Sequence, residues 1–252
     1  MNNIKVALLN PDSIIDAEKM VVFSGRLTQR GHTIKNIDDL FELYNKPFST
    51  KTIDNMIHLP HPTLQKFAVI NVAIVGASRR FLAQITRHQN EVKFMSASLQ
   101  YSDYSDDADF VVPYEILCNG SEAIENYLAI CKKSIDEYKR LIIKDCVDND
   151  SAAYVIPKSL RNVLIISATP YQWKHMISQR TCNRNTSETQ YVMLRIWELL
   201  KSKSPLLFGD CGPMCVRDKC LEGKMSCNKP MYDDPTKCIN KMYPLLKGEY
   251  NE

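Results

Sequence analysis

No stretch of this 252-residue chain reaches the roughly 18 consecutive apolar residues that a membrane-spanning helix needs, so no span is expected. Charge of one sign is also missing. The 32 basic side chains face 29 acidic ones, a formal +3, which gives no global field for nucleic acid. No basic stripe interleaved with aromatics is present either. The start, MNNIKVALLNPDSIID, lacks a charged n-region, a long apolar stretch and a small-residue cleavage site, so a cytoplasmic protein is expected. There is no internal repeat and no low-complexity linker. Cysteine is not scarce, but its number is odd. Nine in a chain without an export signal argue against a disulfide framework.

What is present suits a globular protein: 44% of residues are apolar, and the length favours one substantial core. IKVALLN (4–10) reads as a first strand, stopped by Pro11, and Asp12 is expected to cap a helix that Gly31 ends. Short helices are expected over 33–60, one opening at Ser49-Thr50. FAVINVAIV (67–75), rich in Val and Ile, reads as a buried strand. A helix over 78–89 and a strand near 95–102 follow. Ile124, Tyr127, Leu128, Cys131, Ile135, Tyr138, Leu141 and Ile142 mark a long helix over 121–145, with Ser121 as cap and the stripe in the core. LRNVLIISA (160–168) reads as a strand and 170–180 as a helix. Asn185 and Glu188 resemble a capping box opening a helix to about Leu200. After Pro205 the periodicity fades into Cys, Gly and Pro. The expected class is α+β, a mixed or antiparallel sheet flanked by helices over 1–205, with an irregular Cys-rich extension over 206–252.

The most informative stretch is TRHQNEVKFMSASLQYSDY. Arg87, His88 and Gln89 close a helix, and Ser98 follows after eight residues. Arg offers a planar fork for phosphate or carbonyl oxygens, and His a titratable donor. The pattern resembles the signature of the flavin-dependent thymidylate synthases, Arg-His-Arg followed by seven or eight residues and a Ser. Gln89 stands where the family has its second Arg. A second block, TPYQWKHMISQRTCNRNTSE (169–188), is similar to a family stretch through Trp173, His175, Arg180 and Glu188. A third, His61-Pro62-Thr63, resembles the family's His-x-Thr. With Ser24, the blocks follow the family's order over roughly 20–200 of the chain.

The resemblance implies a sheet with helices on both sides, a homotetramer, and active sites between subunits. It implies reductive methylation of dUMP to dTMP, with methylenetetrahydrofolate giving the carbon, FAD carrying the hydride and NADPH or a similar donor reducing it. By resemblance, Ser24, His61, Thr63, Arg87, His88, Gln89 and His175 hold the cofactor. Ser98, Gln100 and Tyr101 hold the nucleotide with Arg180, which also steadies charge on the uracil. Gln100 stands where the family commonly has an Arg, and Lys66 and Phe67 where it often has Glu and His. For Arg87 a surface ion pair is the plain alternative, and for Tyr101 and Tyr104 burial in a strand.

The tail reading Cys211-x3-Cys215-x4-Cys220-x6-Cys227 can place four thiolates around zinc or an iron–sulfur cluster, or leave them free. Two alternatives to dUMP methylation stand beside it: one-carbon transfer to another uracil nucleotide such as UMP, or a silent homologue acting as a four-cysteine metal-binding module.

Overall fold

The computed structural model describes residues 1, 3–217 and 219–246, so the last six residues of the expected extension lie outside the described part. A four-stranded antiparallel sheet forms the middle of the chain, in the order β1-β2-β4-β3. Its strands are β1 (Lys5–Leu8), β2 (Ile70–Ser78), β3 (Val92–Ser96) and β4 (Arg161–Ala168). Around it run α1 (Ser13–Arg30), α2 (Ile37–Asn45), α3 (Thr50–Ile57), α4 (Arg79–Ile85), α5 (Tyr114–Leu117), α6 (Ser121–Asp145), α7 (Asn149–Ala152), α8 (Pro170–Arg180), α9 (Ser187–Lys203), α10 (Pro205–Phe208), α11 (Met214–Arg217) and α12 (Pro235–Met242). No helix of the described residues is long and apolar enough to cross a membrane.

Strand alternation decides which face of the sheet is buried. Val72 pairs with Ile166, and Ile74 with Leu164. All four are buried, as are Ile70 and Ala168. Val6 and Phe94 extend this apolar row onto β1 and β3 through their pairing with Ile74 and Ile166. Trp173 of α8 lies against this face and donates its indole N–H to the carbonyl of Ile70 at 3.1 Å. The opposite face carries Val75 paired with Val163 and Met95 paired with Ile165. There Val75, Met95 and Val163 are exposed.

A bulge interrupts β2 between Val75 and Ala77. Gly76 adopts φ +84°, and a Cβ there would lie 2.7 Å from the carbonyl oxygen of Asn3, so only glycine fits. The extra residue turns Ala77 and Ser78 inward, and both are buried. Ser78 then caps α4, its hydroxyl accepting from the N–H of Phe81.

Several expectations shift. The strand expected at 67–75 begins at Ile70, because Phe67 and Val69 are exposed ahead of the pairing with β4. The strand expected near 95–102 is β3, which ends at Ser96, so Gln100 and Tyr101 lie in a turn. Tyr101 is 83% exposed, which overturns burial in a strand as its role. Asp12 sits at the start of α1 but makes no side-chain cap. Gly120 precedes α6 at the cap position in place of Ser121. Thr186, not Asn185, caps α9 by accepting from Thr189.

The region after 205 is more ordered than its composition suggests. Leu207, Phe208, Cys211, Cys238, Ile239, Tyr243 and Leu246 are buried in the same apolar core as the sheet. α12 packs along α9, and the Tyr243 hydroxyl donates to Gln190 Oε1 at 2.7 Å. Gly212 holds φ +126°, where a Cβ would meet the Trp197 ring at 2.9 Å.

Candidate active site

Two chain segments far apart in sequence meet at the end of α8. α4 stops at Ile85, and the backbone turns so that His88 N–H bonds to the Ile85 carbonyl. That turn buries the His88 ring and leaves Arg87 and Gln89 exposed. Thr169 caps α8 with Pro170 in its first turn, which aims Trp173 at the core and places His175 and Arg180 on the flank nearer α4. Arg180 then donates from Nε to His88 Nε2 at 2.8 Å. His175 meets the His88 ring edge to face, with centroids 5.7 Å apart.

His88 must be neutral to accept that bond, with its proton on Nδ1. Burial, then the charge of Arg180, then His175 pull its pKa down to about 4. Burial and the nearby Arg87 also lower the pKa of Arg180, though a guanidinium stays charged at any working pH. Arg87 and Arg180 thus form a pair of cations with one neutral imidazole between the helices. Asn185 completes the group, its Oδ1 accepting from Arg180 Nη1 at 3.3 Å while its amide donates to the carbonyls of Gln179 and Cys182.

The third sequence block joins from the side. His61 and Thr63 are exposed on a single 3-10 turn that packs against α8. Lys66, at the end of this turn, pairs with Glu91 at 2.7 Å and lies over the Tyr171 ring. Glu91, in a left-handed conformation at φ 54°, also accepts from the Thr169 hydroxyl at 3.0 Å. The Lys66 carried in place of an acidic residue is therefore balanced by Glu91.

Glu188 does not complete a capping box. It is buried, and it accepts from the Ser78 N–H at 2.6 Å and from the Ser78 hydroxyl at 2.5 Å. Burial raises its pKa, partly offset by those two bonds. Glu188 thereby ties α9 to the start of α4, and so to Arg87 and His88.

The other expected residues lie apart from this cluster. Ser98, Gln100 and Tyr101 follow the far end of β3. Glu91 sits at the near end, and five strand residues span roughly 17 Å. Ser98 accepts from the backbone N–H of Gln100. Ser24 is buried within α1. Cys211 is buried, while Cys215, Cys220 and Cys227 are partly exposed. Among the described residues no group of three or more His, Cys, Asp or Glu stands ready to hold a metal ion. Glu91 and Asn185 were not expected in the site: Glu91 lies just past the Arg87-His88-Gln89 stretch, and Asn185, inside the second block, was read only as a helix cap.

The thymidylate synthase complementing protein family matches this chain over residues 12–206. A flavin-dependent thymidylate synthase of Geobacter sulfurreducens is 27% identical over 228 residues, 89% of this chain and 94% of that protein. Another, of Thermococcus onnurineus, is 25% identical over 68% of this chain and 75% of that protein. Among solved structures, thymidylate synthase X of Helicobacter pylori with FAD and dUMP has a TM-score of 0.58 at 16% identity, covering 82% of this chain and 98% of that one. A UMP/dUMP methylase of Streptomyces cacaoi bound with 5-Br dUMP has a TM-score of 0.62 at 13% identity, covering 82% and 94%.

Proposed function

We propose that this chain, which belongs to the thymidylate synthase complementing protein family and is an enzyme of the flavin-dependent thymidylate synthase type, converts dUMP to dTMP. Methylenetetrahydrofolate donates the carbon, NADPH or a similar donor the reducing equivalents, and FAD is the resident cofactor. The observation that carries this reading is the meeting of Arg87, His88, His175 and Arg180 at one helix end.

The residues present suit a flavin. Arg87, exposed beside a second guanidinium, offers a fork for a phosphate or a ring carbonyl. His175 and Gln89 are exposed at the same place and supply neutral hydrogen bonds to a ring edge. His61 and Thr63 line the neighbouring turn. When bound, the flavin contributes hydride chemistry.

The remaining work falls to the chain's own side chains. Arg180 keeps its Nε on His88 and one Nη on Asn185, so its fork is fixed in direction before any ligand arrives. A guanidinium held this way orients the uracil and stabilises negative charge gathering on its carbonyl oxygen. Neutral His88 acts as a rest for Arg180 and not as an acid.

Ser98, Gln100 and Tyr101 are proposed to bind the nucleotide in a site shared between copies of the chain. Their distance from Arg180 along β3 supports this, since one nucleotide cannot easily touch both ends within one chain. The open sheet face with Val75, Met95 and Val163 is a ready surface for the proposed homotetramer. The nine free cysteines suit a reducing cytoplasm.

UMP is the second reading, because neutral Gln89 and Gln100 stand where the family has arginines. Anaerobic turnover with FAD, NADPH, methylenetetrahydrofolate and either dUMP or UMP, read by product mass, decides. Formation of dTMP, lowered about a hundredfold or more in Arg180→Ala, is the expected result. A methylated ribonucleotide alone would move the substrate to UMP, and no product from either would overturn the reading.

A further inference from the structure

The tail is anchored in the core at two places and unburied between them. Cys211 and Gly212 are buried, as are Pro235, Cys238 and Ile239, but no described residue from Lys219 to Asp234 is. At the far end of this stretch α9 fastens the chain again. Lys201 donates to the Asp233 carbonyl at 3.1 Å, and Thr236 to Glu198 at 2.6 Å. The middle is held by two neighbours in the α8–α9 turn. Asn183 donates to the Lys229 carbonyl at 3.0 Å, and Arg184 to the Met225 carbonyl at 2.8 Å. Between this stretch and the turn lies a cavity of about 510 Å³, with Arg180 and Asn185 on its wall.

We propose that residues 219–231 form a gating strap over an anion-binding cavity. Glu222 holds Arg184 in the place of a nucleotide's anionic group and is displaced when that ligand enters. That the anion is a nucleotide rests on the function proposed above; the strap and its displacement by an anion do not.

Charge is the first reason. Among the described residues lining this cavity, Arg180, Arg184 and Lys229 are cationic, and Glu222 alone is acidic. A concave surface with that surplus draws anions, and its volume lies within the about 300–1,000 Å³ of small-molecule sites. Glu222 supplies the one negative charge itself, reaching Arg184 Nε at 3.6 Å. Both side chains are exposed, so the pair is weak enough for a better anion to replace it. The second reason is room to move. Lys229, Pro230 and Met231 also line a second cavity of about 750 Å³, with Tyr232 and Tyr243. The strap thus runs as a partition between two hollows, held by exposed bonds that break at little cost.

The test is calorimetric binding of dUMP, UMP and inorganic pyrophosphate to the full chain, with hydrogen exchange read by mass on the same samples. Glu222→Gln, an exposed and structurally mild change, should bind the anion about two- to fivefold more tightly, the worth of one exposed ion pair. The gain should vanish in an Arg184→Gln background, where Glu222 has nothing to withhold. Bound anion should speed exchange over 219–231 and leave 235–246 unchanged. Equal affinities in the parent and Glu222→Gln would overturn the gate, as would slower exchange over 219–231 with anion bound. A gain that persists in Arg184→Gln would reduce Glu222 to a general charge effect and overturn it too. If pyrophosphate alone binds and shows the preference, the gate stands and the nucleotide reading falls. No binding of any of the three would overturn both.

Discussion

Arg180 rests its Nε on Nε2 of His88, 2.8 Å away and 92 residues apart in the chain. This bond makes one imidazole serve as support for one guanidinium. Substituting either residue disturbs the same group in different ways.

Arg180→Ala should lower dTMP formation by about a hundredfold or more, the scale seen when one donor to a developing anion is removed. Arg180→Lys keeps the charge but loses the fork, so it should recover part of the rate only. Steady-state kinetics on both variants checks this; a lysine variant as active as the parent would argue against a two-point contact.

The folded pKa of His88 lies below its unfolded value, so from pH 6.5 down to about 4 the unfolded chain binds more protons. Stability contributed by neutral His88 is whole above that window and falls through it. Melting temperature followed across these pH values should decline less steeply in His88→Gln, which retains an acceptor for Arg180. Equal slopes would place the acid sensitivity elsewhere.

Glu188→Ala leaves the buried N–H of Ser78 without its acceptor and should cost about 1–3 kcal/mol in urea unfolding. Glu188→Gln keeps that acceptor oxygen and should cost less. A larger loss in the glutamine variant than in alanine would show that the ionised carboxylate itself is required.

Gly212→Ala should destabilise by about 1–3 kcal/mol, since its backbone lies at φ +126° and the added methyl meets Trp197. Gly120, also left-handed at φ +88° but with nothing near a Cβ, separates strain from crowding. Its alanine variant should lose less in the same denaturation assay.

Met95→Lys combined with Val163→Lys puts two charges on the open sheet face. If the proposed homotetramer forms through this face, light scattering should report a smaller assembly for this variant than for the unaltered chain. An unchanged mass would move the subunit contacts to another surface.

Much of this architecture was legible in periodicity. The long stripe from Ile124 to Ile142 gave α6, and Thr169-Pro170 opened α8 where the sequence places it. The edges were harder, since composition is blind to pairing. Phe67 and Val69 are as apolar as Ile70, yet β2 starts only where β4 lies opposite. Asn185 and Glu188 have capping-box spacing, but Glu188 is claimed by Ser78, 110 residues earlier, which no local pattern reveals. The motif residues Arg87, His88, His175 and Arg180 did converge, while Ser98, Gln100 and Tyr101 lie at the other end of β3.

The core shared by the sheet and the tail has a practical consequence for anyone shortening this chain. A stop placed after residue 205 would strip Phe208, Ile239, Tyr243 and Leu246 from their packing and open Trp197 and Tyr191 to water. Removing buried aromatics alone costs about 3–5 kcal/mol each, a large share of the margin by which most domains stay folded. The matched region 12–206 is thus no minimal unit to express by itself. Trimming or grafting has to respect the C-terminal helix as a wall of the enzyme.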